Sequence, residues 1–317
     1  MVQLITANDR QSQREGTSKI LLTGVTGYIG SRLLPRLVGT GRSIRCLVRQ
    51  PHALSDEVAQ SSEVVQGDVL DRPSLVRALT GVSTAYYLVH LMGSSDFVQQ
   101  DREAARLFAE AAREVGVKRI IYLGGLGEEG DPRLSQHLRS RHEVGHVLRA
   151  SGVEVIEFRA SVVIGRGSLS FDLIESLTNR LPVMICPRWL ATPTQPIAVG
   201  DVLAYLVTAL DLPPRESQVI EIGSRDVVTY GQLIQEYARQ RGLRRWLITV
   251  PILTPYLSSL WLGLVTPKSA EVGRHLIEGL RNPTIVRNHH ALNVFPIRPM
   301  GTREAIRAAL RGLPQVV

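Results

Sequence analysis

The chain has 317 residues, 44% of them apolar, enough for one large α/β unit or a unit plus a smaller lobe around a sizeable core. Its two cysteines, Cys46 and Cys186, have no metal-ligand spacing around them, which argues against a disulfide framework and for a reducing, cytoplasmic setting, and no metal site is expected. The formal net charge of +8 is dispersed, only Lys19, Lys118 and Lys268 are lysines, and aromatics make up 5%, so nucleic acid is not an expected partner.

Residues 1–17 are polar and lack the apolar stretch of a signal peptide, and they read as a flexible tail. Short apolar runs then alternate with amphipathic segments. The runs are Lys19–Thr23, Ile44–Val48, Val64–Gln66, Ala85–Val89, Ile120–Leu123 and Val155–Phe158. Helical patterns lie near 29–39, 73–80, 97–115 and 137–150, and Asp71 with Pro73 suits the start of a helix. This alternation predicts βαβ crossovers and a doubly wound parallel sheet, an α/β Rossmann fold. Beyond residue 165 the pattern loosens. A helix is expected at 168–180, another over Asp201–Leu210 with Asp201 as its N-cap, and a returning strand at Val219–Ile222. From 229 onward, further helical segments are separated by prolines, which suggests a smaller, mostly helical C-terminal lobe. The domain reading is therefore 18–166 with 195–224 returning to it, and a lobe built from 167–194 and 225–317. Ile252–Val265 is 14 residues long and broken by Pro255, too short to span a bilayer, so no transmembrane segment is expected and the stretch is read as part of the lobe. Trp189, Tyr256, Trp261 and Leu262 are candidates to line an apolar pocket there.

The first run ends in Gly24-Val25-Thr26-Gly27-Tyr28-Ile29-Gly30 and a helical pattern follows. A glycine turn between a strand and a helix is the context of a dinucleotide site. Gly24 permits the tight turn, Gly27 lets the backbone approach a pyrophosphate, and Gly30 allows close helix packing. The N–H groups at the helix start face the phosphates. At the end of the second run, 19 residues past Gly30, stands Arg49. Proteins that bind NAD place an acid there for the ribose hydroxyl, whereas an arginine grips a 2′-phosphate, so NADP(H) is the expected cofactor. Arg32 is a candidate for added charge. Asp68 and Val69, at the end of the third run, are placed to meet the adenine.

These motifs resemble the atypical short-chain dehydrogenase/reductases over most of residues 18–225. The likeness is greatest to NmrA-like proteins and the nucleotide-binding accessory subunit of respiratory complex I. It is carried by the glycine spacing, by Tyr122-Leu123-Gly124-Gly125-Leu126-Gly127, by His137-Leu138-Arg139-Ser140-Arg141, by Arg159-Ala160-Ser161-Val162-Val163-Ile164-Gly165 and by Gln195-Pro196-Ile197-Ala198-Val199. Leu276-Ile277-Glu278-Gly279-Leu280 continues it. The resemblance implies that Gly24, Thr26, Gly27, Tyr28, Ile29, Gly30, Arg49, Asp68, Val69, Val89, His90 and Gly124 contact the cofactor. His90 itself reads as a hydrogen-bonded residue at a strand end. Enzymes of this group use a Tyr-x-x-x-Lys pair, which this chain lacks. His137 and Arg141 have the same four-residue spacing, which puts them on one helical face. Arginine can hold a ribose hydroxyl and histidine can trade a proton. The expectation is an oxidoreductase or epimerase-like enzyme that acts on a partly apolar small molecule. The alternative is a non-catalytic NADP(H) sensor or carrier.

Overall fold

The computed structural model describes residues 19–91, 96–186, 188–249 and 279–311. The tail 1–17 and Ile252–Val265, with Tyr256, Trp261 and Leu262, lie outside them. The apolar runs and the segments between them form β1 (Lys19–Thr23), α1 (Tyr28–Val38), β2 (Ile44–Val48), α2 (Asp56–Ser61), β3 (Glu63–Gln66), α3 (Arg72–Leu79), β4 (Val82–Tyr87), α4 (Phe97–Glu114), β5 (Arg119–Gly125), α5 (Gln136–Arg149) and β6 (Glu154–Ala160). There follow β7 (Val163–Ile164), α6 (Leu169–Arg180), β8 (Val183–Cys186), β9 (Pro193–Thr194), β10 (Ile197–Ala198), α7 (Val199–Thr208) and β11 (Gln218–Ile222). The described chain ends with β12 (Val228–Thr229), α8 (Tyr230–Gln240), β13 (Trp246–Thr249), α9 (Ala291–Val294) and α10 (Thr302–Arg311).

Seven strands make one sheet in the order β11-β6-β5-β4-β1-β2-β3, with every pairing parallel. Both faces are covered, and the alternation along β1 shows why its centre, residues 20–22, is wholly apolar. Ile20 and Leu22 enter one core with Leu33 and Leu37 of α1 and Val202 and Leu206 of α7. Leu21 enters the other with Leu75 of α3, Phe108 of α4 and Leu148 of α5. A strand buried on both sides needs hydrocarbon at every position. Asp71 caps α3, its carboxylate accepting the N–H of Ser74 at 3.2 Å. Chain order reverses between β1 and β4, and a doubly wound sheet opens its crevice at the carboxyl ends of the strands at such a reversal.

Two local expectations differ from the structure. α7 starts at Val199 with Ala198 as its N-cap, so Asp201 lies in the first turn and does not cap. Its carboxylate accepts the N–H of Met300 at 2.8 Å instead, and the helix dipole favours an acid in that turn. The proline-punctuated region also contains more strand than its sequence suggests. β8 and β13 pair in parallel, Val183 with Trp246 through Cys186 with Thr249. One face of this ribbon buries Met184 and Cys186, while Val183, Ile185, Trp246 and Ile248 are exposed on the other. Apolar residues on both faces erase the period-two signal by which a strand is recognised.

Candidate active site

The crevice at the carboxyl ends of β1, β2, β3 and β4 is a cleft of about 700 Å³. Its floor is the glycine turn. Gly24 has φ +68, and a Cβ there would stand 2.4 Å from the Leu88 carbonyl oxygen. A Cβ on Gly30 would stand 2.2 Å from the Gly24 oxygen, so the start of α1 lies directly against the turn. Gly27 is the N-cap and contributes no side chain, so the N–H groups of Tyr28, Ile29 and Gly30 head the helix. The first turn of α1 contains no acidic residue, which leaves its positive end uncompensated by side chains. Thr26 lines the cleft beside Gly27.

Arg49 lies on the cleft wall, exposed, and its guanidinium makes no ion pair with the described side chains. Asp68 and Val69 form the neighbouring wall. The Asp68 carboxylate accepts the N–H of Leu70 at 2.9 Å, and its backbone is pinned at both ends to the Ser74 hydroxyl. Arg32 stands elsewhere. Its guanidinium stacks 4.1 Å from the Tyr28 ring and donates to the Arg166 carbonyl at 2.9 Å, so it ties α1 to the loop after β7 and adds no charge to the cleft wall. Burial of Tyr28 pushes its phenol up to about 12.

The opposite end of the cleft is assembled from four elements. β4 stops at Tyr87, earlier than the sequence suggests, so Val89, His90 and Leu91 lie in the loop beyond it and line the cleft. His90 Nδ1 is 2.9 Å from Asp101 Oδ2, and His90 Nε2 is 3.1 Å from His137 Nδ1. Asp101, on α4, is 1% exposed. It also accepts the Leu91 N–H at 2.9 Å and the Ser140 hydroxyl at 3.1 Å. Burial and the nearby Arg141 cation lower the His90 pKa, against the pull of Asp101. Burial alone would raise the Asp101 carboxyl, but its hydrogen bonds to His90 and Leu91 hold it below the usual range.

Arg141 lies one turn along α5 from His137. One guanidinium nitrogen donates to the Leu123 carbonyl, and the group sits 5.2 Å from the Tyr122 ring centroid. Its Nη1 is buried with no hydrogen-bond partner among the described residues. At Gly124 a Cβ would meet the Tyr122 ring at 3.1 Å and Glu157 at 3.4 Å. Gly125 packs against α5, where a Cβ would stand 2.7 Å from Leu138 Cδ2. His142 closes the same contact by reaching the Gly125 carbonyl at 3.0 Å. The structure therefore brings His90, His137 and Arg141 together around the ends of β4 and β5.

Sequence reasoning missed Asp101, Ser140, Gly125 and His142. Asp101 did carry a signal, because it occupies the apolar stripe of α4 formed by Phe97, Ala104, Ala105 and Phe108. A carboxylate on a buried stripe requires partners.

No helix among the described residues is long and apolar enough to cross a membrane. Trp189 lines a small apolar pocket between α6 and α8 together with Leu177, Tyr230 and Leu280.

The chain is 27% identical over 263 residues to the ceramide reductase of Caulobacter vibrioides, covering 80% of this chain and 82% of that protein. It is 28% identical over 230 residues to a Streptomyces griseus reductase of (4-alkanoyl-5-oxo-2,5-dihydrofuran-3-yl)methyl phosphate, covering 70% and 74%. Among solved structures, the triphenylmethane reductase of Citrobacter sp. superimposes with a TM-score of 0.74 at 17% identity, covering 92% of this chain and 99% of that one. The NADPH-dependent quinone oxidoreductase of Escherichia coli, solved with NADPH, does so with a TM-score of 0.72 at 17% identity and the same coverage. With residues 16–253 matching the NmrA-like family, the chain belongs to that family of atypical short-chain dehydrogenase/reductases.

Proposed function

We propose that the chain is an NADP(H)-dependent reductase of a partly apolar small molecule, with His137 and Arg141 in the place of the Tyr-x-x-x-Lys pair. The observation that carries this reading is a single cleft that joins the glycine turn, Arg49 and the His90 end. The residues fit the cofactor at three points. The turn leaves no room for a Cβ where the backbone must lie close, the helix start is free of acids, and Arg141 Nη1 is buried without a described partner. Arg49 would hold the 2′-phosphate, the head of α1 the pyrophosphate, and Arg141 a ribose hydroxyl. When bound, the reduced nicotinamide supplies hydride to the substrate carbon. His137 delivers the proton that the substrate oxygen needs as that carbon is reduced. The reductase relatives and the NADPH-bound neighbour support the same reading.

Calorimetric titration tests the cofactor, and NADPH consumption across ketones, quinones, enones and nucleotide sugars tests the reaction. NADPH should bind roughly tenfold or more tightly than NADH, and at least one carbonyl or enone should be reduced. Equal affinity for the two cofactors would remove the role of Arg49. NADPH binding without turnover of any of these classes would favour the sensor.

A further inference from the structure

The Asp101–His90–His137 chain includes two residues to which the proposed reduction gives no part. We propose that Asp101 and His90 are positioning residues that fix the tautomer of His137, so that its Nε2 is the atom that carries and delivers the proton. The geometry stands by itself, while its use in reduction rests on the reading above.

An ionised carboxylate only accepts, so the hydrogen between Asp101 Oδ2 and His90 Nδ1, 2.9 Å apart, belongs to the histidine. Burial and Arg141 hold His90 neutral at physiological pH, and a neutral imidazole has one N–H. Its Nε2 is therefore an acceptor. His137 Nδ1, 3.1 Å away, must donate to it, and the lone pair of a neutral His137 then lies on Nε2. One carboxylate thus sets the tautomers of two rings in series. Protonation of His137 adds a hydrogen at Nε2 and leaves the contact to His90 intact. On delivery the Nε2–H bond breaks, its electron pair stays on the ring, and the proton goes to the substrate oxygen. His90 and Asp101 exchange no proton in that step.

The surroundings hold the chain rigid. Asp101 is fixed by the Leu91 N–H from the loop after β4 and by the Ser140 hydroxyl from α5, three residues beyond His137. Ser140 is itself 1% exposed. The carboxylate therefore fastens α4 to both elements that present the rings. The charged and titratable groups facing His90 are Asp101 from α4 and His137 and Arg141 from α5, while the buried phenols of Tyr87 and Tyr122 stand behind Asp101.

Asp101→Asn gives the sharpest test. With the Leu91 N–H occupying the amide oxygen, the amide NH2 would face His90 Nδ1. His90 must then carry its hydrogen on Nε2, and His137 in turn becomes the Nε2–H tautomer with no lone pair there. Nuclear magnetic resonance of 15N-labelled imidazoles reads both rings without substrate or cofactor. The wild type should show Nδ1–H on His90 and on neutral His137, and the variant should show both rings switched. In an active assay the variant should lose roughly 10²–10⁴-fold in kcat with little change in KM for NADPH. Ser140→Ala, which leaves the carboxylate in place, should retain the wild-type tautomers.

A wild-type His137 with its hydrogen on Nε2 would overturn the proposal whatever the variants do. So would unaltered tautomers in folded Asp101→Asn. If Asp101→Asn fails to fold, the wild-type and Ser140→Ala spectra still decide the matter. If the tautomers are as stated but no substrate is reduced, the reductase reading fails and the positioning geometry stands.

Discussion

The two ends of the cleft are built in opposite ways. The glycine-turn end, to which we assign the pyrophosphate, is one unbroken stretch, Thr23 to Gly30, and it presents backbone. Glycines let the turn and the helix start close on each other, and the N–H groups of Tyr28, Ile29 and Gly30 head the helix there. The end proposed to deliver the proton gathers His90, Asp101, His137 and Arg141 from a loop and two helices, separated by up to 47 residues along the chain within a single hydrogen bond. Here side chains do the work and the backbone only delivers them. A backbone site can change its outer residues freely but tolerates no Cβ. A side-chain site tolerates backbone variation but depends on each partner's protonation.

The largest expected effect breaks the first end. In Gly30→Ala the added Cβ would lie 2.2 Å from the Gly24 oxygen and 2.9 Å from the Val25 Cα, both backbone atoms that no side-chain rotation can move aside. α1 must lift from the turn. The expected outcome is a loss of stability of about 3 kcal/mol and a loss of NADPH affinity beyond 100-fold. Chemical denaturation and calorimetry on one preparation read both. A variant that binds NADPH as the wild type does would show that the helix head is not the phosphate site.

This contrast also explains how much of the molecule was legible in its sequence. The glycine turn was read directly because its residues are contiguous and each answers a steric demand. β1, β2, β4, β5 and β6 are legible because their burial makes largely apolar runs, whereas β3, at the sheet edge with exposed ends, offers only Val64 and Val65. Asp101 stands on the apolar stripe of α4, but its partners His90, Leu91 and Ser140 come from other elements, and only the packing of α4 against the end of β4 and α5 shows which they are. The ribbon of β8 and β13 was not read because its exposed Val183, Ile185, Trp246 and Ile248 break the alternation. His90 was read as a bonded residue at a strand end, which left out that its second ring nitrogen faces His137. Local chemistry is written in adjacent residues, and assembled chemistry is written in the packing.

A middle-sized effect sharpens the selectivity of the backbone end. Arg49→Ala removes the one charged side chain on the cleft wall expected to distinguish a 2′-phosphate from a hydroxyl. NADPH affinity should fall roughly 10–150-fold, the equivalent of about 1.5–3 kcal/mol for charge-assisted contacts, while NADH affinity should be nearly unchanged. The wild-type preference should also weaken with added salt, because Arg49 is exposed. A parallel fall for both cofactors would place Arg49 on a shared part of the dinucleotide.

The smallest effect concerns the side-chain end and appears only with pH. His142 is buried at 6% exposure and reaches the Gly125 carbonyl on the strand that α5 covers. Burial first, and then the Arg159 cation, push its pKa down to about 4, and the hydrogen bond to Gly125 only partly opposes them. An unfolded histidine titrates near 6.5. Between these values the unfolded chain binds a proton that the folded chain refuses, so stability falls as the pH drops from about 6.5 toward 4 and is fully present above that window. At pH 5 the loss from this one group should be about 1–2 kcal/mol relative to pH 7.5. His142→Gln keeps a donor for the Gly125 carbonyl and removes the titration. Urea denaturation at the two pH values should therefore show a shallower decline for the variant, with the two proteins similar at pH 7.5. Asp101 does not mimic this signature, because its depressed carboxyl loses its contribution only at more acidic pH, as it protonates. His90 shares the direction of His142 but remains in the variant, so the difference between the two slopes isolates His142. Identical slopes would mean that His142 is protonated in the folded protein at pH 5, and that the Gly125 end of β5 is wetter than its packing indicates.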